Sequence, residues 1–216
     1  PPALPTRLGE AGYATSAFCT RGILYTAGKK LHAYWENRFG FQRFDPNGYD
    51  GEELTRRALA ALDQLRTADR PFFLWVHYFD VHEPYRRHKA FDFGGQPVDR
   101  YDSEVAYTER RVYRLIREAQ SRVSNLIVVV TADHGEEFGE HGGHFHGSSL
   151  YDEQVRVPLV FSVPGVARRR ISGPTSLLSV APTLLDLLGV EIPEALKGRT
   201  LVGRMLKGRE VTVPPV

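Results

Sequence analysis

Short apolar runs alternate along the chain with longer segments in which apolar residues recur at helical spacing. The apolar runs are rich in β-branched and aromatic residues and predict strands at residues 13–19, 72–78, 126–132 and 157–163. The strands at 72–78 and 157–163 are expected to be buried. The longer segments predict helices at residues 50–69, 101–122 and 179–188, whereas residues 23–48 show no clear period and predict an irregular excursion. Strands that alternate with helices indicate an α/β fold, a three-layer sandwich in which helices cover both faces of a mostly parallel sheet.

The predicted helices carry recognisable end signals. Asp50 can accept backbone N–H bonds at the start of the first helix, and Glu53 follows three residues later, which is the spacing of a capping box. Pro182 lies in the first turn of the last helix and Gly189 lies just past its end.

Polar side chains follow two of the predicted strands at the point where each strand ends. Asp80 and His82 come after the strand at 72–78, and Asp133 and His134 follow the strand at 126–132. Ligands of mostly parallel sheets bind beyond the carboxyl ends of the strands. We therefore expect the two groups to open onto one cavity.

Asp133 and His134 give the sharpest chemical signal in the sequence. An ionised aspartate is a hard oxygen ligand, and a neutral histidine offers a nitrogen lone pair. Two adjacent residues past a strand end can face one ion because the strand's alternation has stopped, and Gly135 allows a sharp backbone turn behind them. The alternative is an aspartate that caps the next helix beside an ordinary surface histidine.

Composition excludes several classes of protein. The 216 residues are 42% hydrophobic and 25% charged, which is a globular balance, and the net charge of +2 implies no strong attraction to nucleic acid. The longest apolar run, residues 126–130, is far shorter than the ~20 residues of a membrane-spanning helix. Cys19 is the single cysteine, so the chain has no internal disulfide, and its place on a predicted buried strand suggests inert packing.

A longer ordered pattern surrounds the Asp-His pair. Residues 131–142 read TADHGEEFGEHG, residues 146–153 read HGSSLYDE, and residues 156–159 read RVPL. This order resembles the signature of the sulfatase family. Five further segments resemble the same family: 12–15 (GYAT), 82–85 (HEPY), 101–110 (YDSEVAYTER), 181–186 (APTLLD) and 196–201 (LKGRTL). The resemblance covers most of the chain and implies an alkaline-phosphatase-like fold.

The resemblance also implies roles for four residues. Asp133 and His134 match the metal-binding pair of the family, whose usual ion is calcium, although a histidine ligand leaves manganese or zinc open. His82 matches a histidine that faces the ester oxygens and assists the leaving group, with a structural histidine in the turn before Pro84 as the alternative. His146 stands where many sulfatases have a lysine that contacts sulfate, and a loop histidine is its alternative.

Other polar residues near these motifs carry weaker signals. His141 and His144 lie among glycines and are either loop residues or neighbours of the metal. Asp80 is interpreted as a turn acid rather than a ligand.

Two departures from the family are equally informative. The nucleophile motif Cys/Ser-x-Pro-x-Arg is absent, since Cys19 is followed by the letters TRG, and the family's first pair of metal-binding aspartates has no match. The chain opens without Met, in what resembles the end of a helix, so we expect both elements, including the formylglycine nucleophile, upstream of Pro1. We interpret residues 1–216 as part of one sulfatase-type catalytic domain truncated at its N-terminus, with about 190–216 as a closing segment or the start of a small C-terminal region. Such a fragment is expected to be inactive alone.

The sequence therefore favours metal-dependent hydrolysis of sulfate esters, with a small-molecule or glycan sulfate ester as substrate. No nucleic-acid partner and no membrane segment are expected. A phosphohydrolase or phosphotransferase of the same superfamily and a non-catalytic metal-binding fragment are the alternatives. Localisation is left unassigned, because a secreted or periplasmic location would depend on a signal peptide upstream.

Overall fold

The computed structural model of the protein describes residues 3–19, 39–46 and 50–207. Its strands are β1 (Ala14–Cys19), β2 (Arg43–Asp45), β3 (Phe72–His77), β4 (Val128–Thr131), β5 (Glu137–Phe138), β6 (His144–Phe145) and β7 (Leu159–Ser162). Its α-helices are α1 (Leu4–Glu10), α2 (Gly51–Leu65), α3 (Pro97–Arg122), α4 (Asp152–Val155), α5 (Val180–Leu187) and α6 (Val202–Lys207). Single 3₁₀ turns occur at Lys89–Phe91 and Leu177–Ser179.

The described residues divide into two compact units. One unit contains the chain up to His77 together with the chain from Gly165 onward, and the other contains Tyr78–Pro164. The first unit holds β1 to β3, and the second holds β4 to β7 with α3 and α4.

The first unit is built on a parallel sheet in the order β2-β1-β3. β1 pairs with β3 from Ala14 opposite Phe72 to Cys19 opposite His77. β1 has a neighbour on both edges, and all of its residues are buried. β3 lies at the edge of the sheet as far as the described residues show, and its residues are only partly buried, in contrast to the buried strand predicted at 72–78. The strand predicted at 13–19 is confirmed, and the α/β fold with a parallel sheet is confirmed with it.

Helix α2 packs on this sheet through a continuous apolar stripe. Leu54, Ala58 and Leu62 lie on its buried side, as the helical spacing predicts. The Asp50 side chain accepts a hydrogen bond from the Glu53 N–H at 3.0 Å, which confirms the N-cap.

The second unit contains the longest helix, α3, with 26 residues. It begins at Pro97, four positions before the predicted start, because Gln96 and Asp99 form a capping box ahead of it. No helix in the described parts of the chain is long and apolar enough to cross a membrane.

The strands of the second unit differ from the expectation of strands buried on both faces. β4 and β7 form a two-stranded antiparallel pair in which Val129 lies opposite Phe161. β7 alternates between partly buried and exposed residues, and Val160 is 54% exposed. The burial predicted for residues 157–163 is therefore wrong for the described chain, because no layer of the described residues covers the face of β7 that carries Val160 and Ser162.

Much of the segment predicted to be irregular, residues 23–48, lies outside the described residues. Its described part includes the three-residue strand β2, which pairs with β1 in parallel. For residues 23–38 and 47–48 the irregular excursion stays a prediction.

Cys19 should react slowly with thiol reagents in the folded protein. It is 1% exposed, and burial, followed by the nearby Asp45 carboxylate, raises the pKa of its thiol to about 11. Against the ordinary thiol value this lowers the thiolate fraction at neutral pH by roughly 100-fold. Alkylation of the native protein, followed by mass spectrometry, should be slower than in denaturant by at least that factor. Equal rates in both conditions would contradict the buried position.

Candidate active site

The turn after β4 fixes the geometry of the predicted metal pair. Asp133 Oδ1 accepts the backbone N–H of His134 at 3.1 Å. His134 Nδ1 lies 2.9 Å from the carbonyl oxygen of Gly135, which can only accept, so Nδ1 carries the proton and Nε2 carries the lone pair. The two remaining atoms, Asp133 Oδ2 and His134 Nε2, are 3.8 Å apart.

This donor set fits a shared cation. Bonds of about 2.1 Å from a metal to nitrogen and oxygen allow two ligand atoms of one ion to lie up to about 4.2 Å apart. A histidine that binds a metal through one nitrogen almost always donates its other N–H to a carbonyl or carboxylate, as His134 does to Gly135. The Asp133 side chain is 76% exposed, so its carboxylate is accessible.

Two other predicted site residues lie beside this pair. The rings of His134 and His146 stack with centroids 3.7 Å apart, and the ring of His82 meets His146 edge-on at 5.6 Å. His82 in turn stacks on Phe79 at 4.4 Å. The segments HEPY and ADHG, 50 residues apart in the sequence, are thus brought together within the second unit.

A buried glutamate that the sequence analysis missed joins these segments. Glu136 Oε1 accepts a hydrogen bond from His146 Nδ1 at 2.9 Å, and its Oε2 accepts the Tyr85 hydroxyl at 2.5 Å. Burial and the hydrogen bond to Glu136 raise the pKa of Tyr85 well above its usual range, so the phenol stays protonated and donates. The signal for Glu136 was its place inside the DHGEE run, although a glutamate there is equally typical of an exposed loop.

Side chains of helix α3 also form hydrogen bonds with the segment that follows His82. Glu104 accepts the backbone N–H of Arg86 at 2.9 Å and lies 2.8 Å from His88 Nε2. Ser103 Oγ accepts the backbone N–H of His88 at 2.8 Å. Both Ser103 and Glu104 are buried, so α3 anchors the chain four to six residues beyond His82.

Gln154 of helix α4 forms hydrogen bonds with the turn that follows the Asp-His pair. Its carbonyl accepts the Gly135 N–H at 2.7 Å, and its side chain donates to Glu137 at 2.7 Å and accepts the Ser149 N–H at 3.3 Å. Gly135 is needed for this approach rather than for a sharp turn. A Cβ atom there would lie 2.1 Å from the carbonyl oxygen of Glu153.

Glu137 supports the loop that carries the weaker histidine candidates. Its carboxylate accepts the backbone N–H groups of His141 at 3.2 Å and Gly143 at 2.8 Å, besides the Gln154 amide. Burial disfavours its charged form, but these hydrogen bonds outweigh burial and lower the pKa of Glu137.

Glu137, His141 and Glu153 also offer ligand atoms within 4.8 Å of one another among the described residues. Since Glu137 already accepts three N–H groups and His141 Nδ1 lies 2.5 Å from Glu153, protein hydrogen bonds explain this group without an ion. His144 lies on the exposed strand β6, and Asp80 is partly buried in the turn after β3.

Comparison with known proteins identifies the family. The family profile named Sulfatase matches residues 1–190. The chain belongs to the sulfatase family. Uncharacterized sulfatase YidJ of Escherichia coli (strain K12) is 24% identical over 188 residues, a match that covers 69% of this chain and 38% of YidJ. Arylsulfatase K of Gallus gallus is 30% identical over 146 residues, 64% of this chain and 27% of the relative.

Solved structures agree on the fold. The lipoteichoic acid synthase LtaP from Listeria monocytogenes superposes with a TM-score of 0.79 at 17% identity, over 93% of this chain and 56% of that chain. The chain therefore spans less than two thirds of the length of both relatives and of LtaP. The likeness to LtaP, at 17% identity, shows the fold alone.

Replacing Gly135 with alanine should destabilise the second unit. The new methyl group would collide with the Glu153 carbonyl, and overpacking of this kind costs about 1–3 kcal/mol. Chemical denaturation should show a lower midpoint for Gly135→Ala than for Gly203→Ala, since no atom lies within 4 Å of a Cβ at Gly203 on α6. Equal midpoints would contradict the close approach of α4.

The Glu137→Gln variant should be less stable than the wild type at neutral pH, by an amount that shrinks on acidification. A carboxyl group whose pKa is lowered by folding contributes stability above its unfolded pKa, and this contribution is lost as the pH falls through the folded value. Unfolding midpoints measured from neutral pH into the acid range should therefore converge below the ordinary pKa of glutamate. The exposed Glu109→Gln is the control and should follow the wild type throughout. A constant gap at all pH values would exclude this role for the Glu137 charge.

Proposed function

We propose that this sulfatase chain supplies part of the active site of a metal-dependent sulfate ester hydrolase. The observation that carries the proposal is the pair Asp133 Oδ2 and His134 Nε2, 3.8 Å apart, with His82 and His146 beside it. Carboxylate and imidazole ligands suit a cation, and neighbouring imidazoles suit a tetrahedral anion.

Asp133 and His134 would hold a divalent ion through these two atoms. When bound, the ion polarises the ester oxygens and stabilises negative charge that develops on them. Two protein ligands are fewer than the roughly four of a zinc site, so we place the remaining ligands in other residues, water or substrate. Calcium is the usual family ion, and the imidazole ligand keeps manganese and zinc as the ions to test against it.

His82 and His146 would contact the anion and the leaving group. His82 Nδ1 lies 2.9 Å from the carbonyl oxygen of Glu83, which makes Nδ1 the donor and leaves Nε2 for the substrate. When the ring carries a second proton, on Nε2, that nitrogen can donate it to the ester oxygen that departs.

The nucleophile is not provided by the described cysteine. Cys19 is buried, and its thiol is held protonated by its raised pKa. The family resemblance calls for a formylglycine in a motif that this chain lacks, so we place the nucleophile in another part of the protein. The proposal therefore concerns the longer protein, and this chain alone should be inactive.

Phosphate ester chemistry is the second candidate. LtaP shares the fold and is named as a synthase rather than a sulfatase. His146 replaces the usual lysine, which removes a fixed positive charge from the anion site. A comparison of aryl sulfate with aryl phosphate as substrates separates the two candidates.

The decisive experiment substitutes the metal pair in the full-length protein. Asp133→Asn and His134→Gln should each lower kcat/KM for an aryl sulfate by roughly 100-fold or more, because each removes a ligand of the ion that stabilises the transition state. Both should also weaken binding of calcium, manganese or zinc, measured by calorimetry. Asp102→Asn, an exposed aspartate on α3, is the matched control and should change neither quantity.

Several results would count against the proposal. Full activity and metal affinity in Asp133→Asn would remove the metal pair from the mechanism. Faster turnover of aryl phosphate than of aryl sulfate would identify the protein as a phosphohydrolase instead. Turnover by the 216-residue chain alone would show that the nucleophile lies within it.

A further inference from the structure

We propose that Glu136, held in place by Tyr85, is a positioning residue that accepts the Nδ1 proton of His146 and so directs the other ring nitrogen, Nε2, toward the substrate. The assignment of Nε2 to a substrate rests on the proposed function. The orientation of the ring itself does not.

The hydrogen-bond chemistry of Glu136 determines the direction of both contacts. An ionised carboxylate only accepts, so a carboxylate oxygen 2.9 Å from His146 Nδ1 requires a proton on that nitrogen. The other oxygen accepts the Tyr85 hydroxyl at 2.5 Å. The Glu136 side chain is 5% exposed, so water competes little for either oxygen.

Tyr85 gives the carboxylate a fixed support. Its ring meets Tyr101 edge-on at 5.6 Å and Phe138 at 5.7 Å, so the phenol cannot swing away without breaking aromatic contacts. With Tyr85 holding Oε2, Oε1 of Glu136 stays directed at His146.

The β5–β6 hairpin brings the two partners face to face. Glu137 pairs with Phe145, so Glu136 and His146 occupy the next opposing positions beyond the ladder. Phe145 has φ 70°, the left-handed region that a bulky side chain rarely adopts. A backbone conformation of this kind persists only where surrounding contacts stabilise it. The hydrogen bond between Glu136 and His146, the residue after Phe145, is such a contact.

The remaining surroundings of His146 leave one nitrogen for a ligand. His134 stacks on one face of the ring and His82 approaches it edge-on. Among the described residues, the ring of His146 forms its hydrogen bond to Glu136 through Nδ1. Nε2 is therefore the nitrogen available to a ligand. A free neutral imidazole prefers the tautomer with its proton on Nε2, so Glu136 selects the opposite form.

The tautomer can be read directly by ¹⁵N nuclear magnetic resonance of the imidazole nitrogens. Spectra of the metal-free protein are recorded above the pH range in which histidine titrates, and the His146 signals are those that vanish in His146→Gln. The wild type should show a proton on Nδ1. Glu136→Ala should revert to a proton on Nε2, whereas Glu136→Gln should keep the wild-type form because its amide oxygen still accepts. Glu109→Ala, at an exposed site on α3, should resemble the wild type.

Kinetics of the full-length protein test what the orientation contributes. Glu136→Ala should lower kcat for the ester by about 10–100-fold with a smaller change in KM, the range found when a group that orients an active-site histidine is removed. Glu136→Gln should lose less, and Glu109→Ala should lose nothing. If Glu136→Ala does not fold, Tyr85→Phe takes its place in the test. This variant removes the hydrogen bond that supports Glu136 but leaves the carboxylate, so we expect the proton to stay on Nδ1 and kcat to fall by less than in Glu136→Ala.

The two readouts separate failure of this inference from failure of the proposed function. A wild-type His146 with its proton on Nε2, or an unchanged tautomer in Glu136→Ala, would overturn the positioning role whatever the activity. A protein that shows the expected tautomers but hydrolyses neither sulfate nor phosphate esters would retain the positioning role and lose the proposed function.

Discussion

Two neighbouring buried carboxylates, Glu136 and Glu137, impose the constraint on which the candidate site depends. A carboxylate removed from water is costly unless its oxygens find donors, and adjacent residues entering a strand point to opposite sides. Glu136 is satisfied by His146 and Tyr85, and Glu137 by the loop amides and Gln154. The hydrogen bonds of Glu136 connect His146 to the segment that carries Tyr85. The hydrogen bonds of Glu137 fix the loop that contains His141 and Gly143.

The Asp133–His134 pair depends on this arrangement less than His82 and His146 do. Asp133 and His134 are adjacent, and their orientation is set by hydrogen bonds within three residues of the chain. Gln154 then fixes the whole turn through the Gly135 N–H, at a spacing that only glycine permits. The pair is therefore a local unit held against α4, and the orientation of its two side chains is set locally.

The sequence resemblance places His146 where many sulfatases have a lysine, and the two side chains differ in kind. A lysine would bring a permanent charge on a flexible stem. A histidine stacked on His134 and bonded to Glu136 brings a rigid ring whose single remaining nitrogen has a defined direction.

The sequence by itself determined the features that depend on near neighbours. Apolar runs located the strands that became β1, β3, β4 and β7, the Asp50 cap began α2, and the Asp-His pair was recognisable from its position after a strand. The tertiary structure alone decided that Tyr85 and Glu136, 51 residues apart, share a hydrogen bond, and that β7 is a half-exposed member of an antiparallel pair. The physical reason is that periodicity and capping act within a few residues of the chain. The partner of a buried carboxylate and the number of neighbours around a strand are set by segments that meet only in the folded protein.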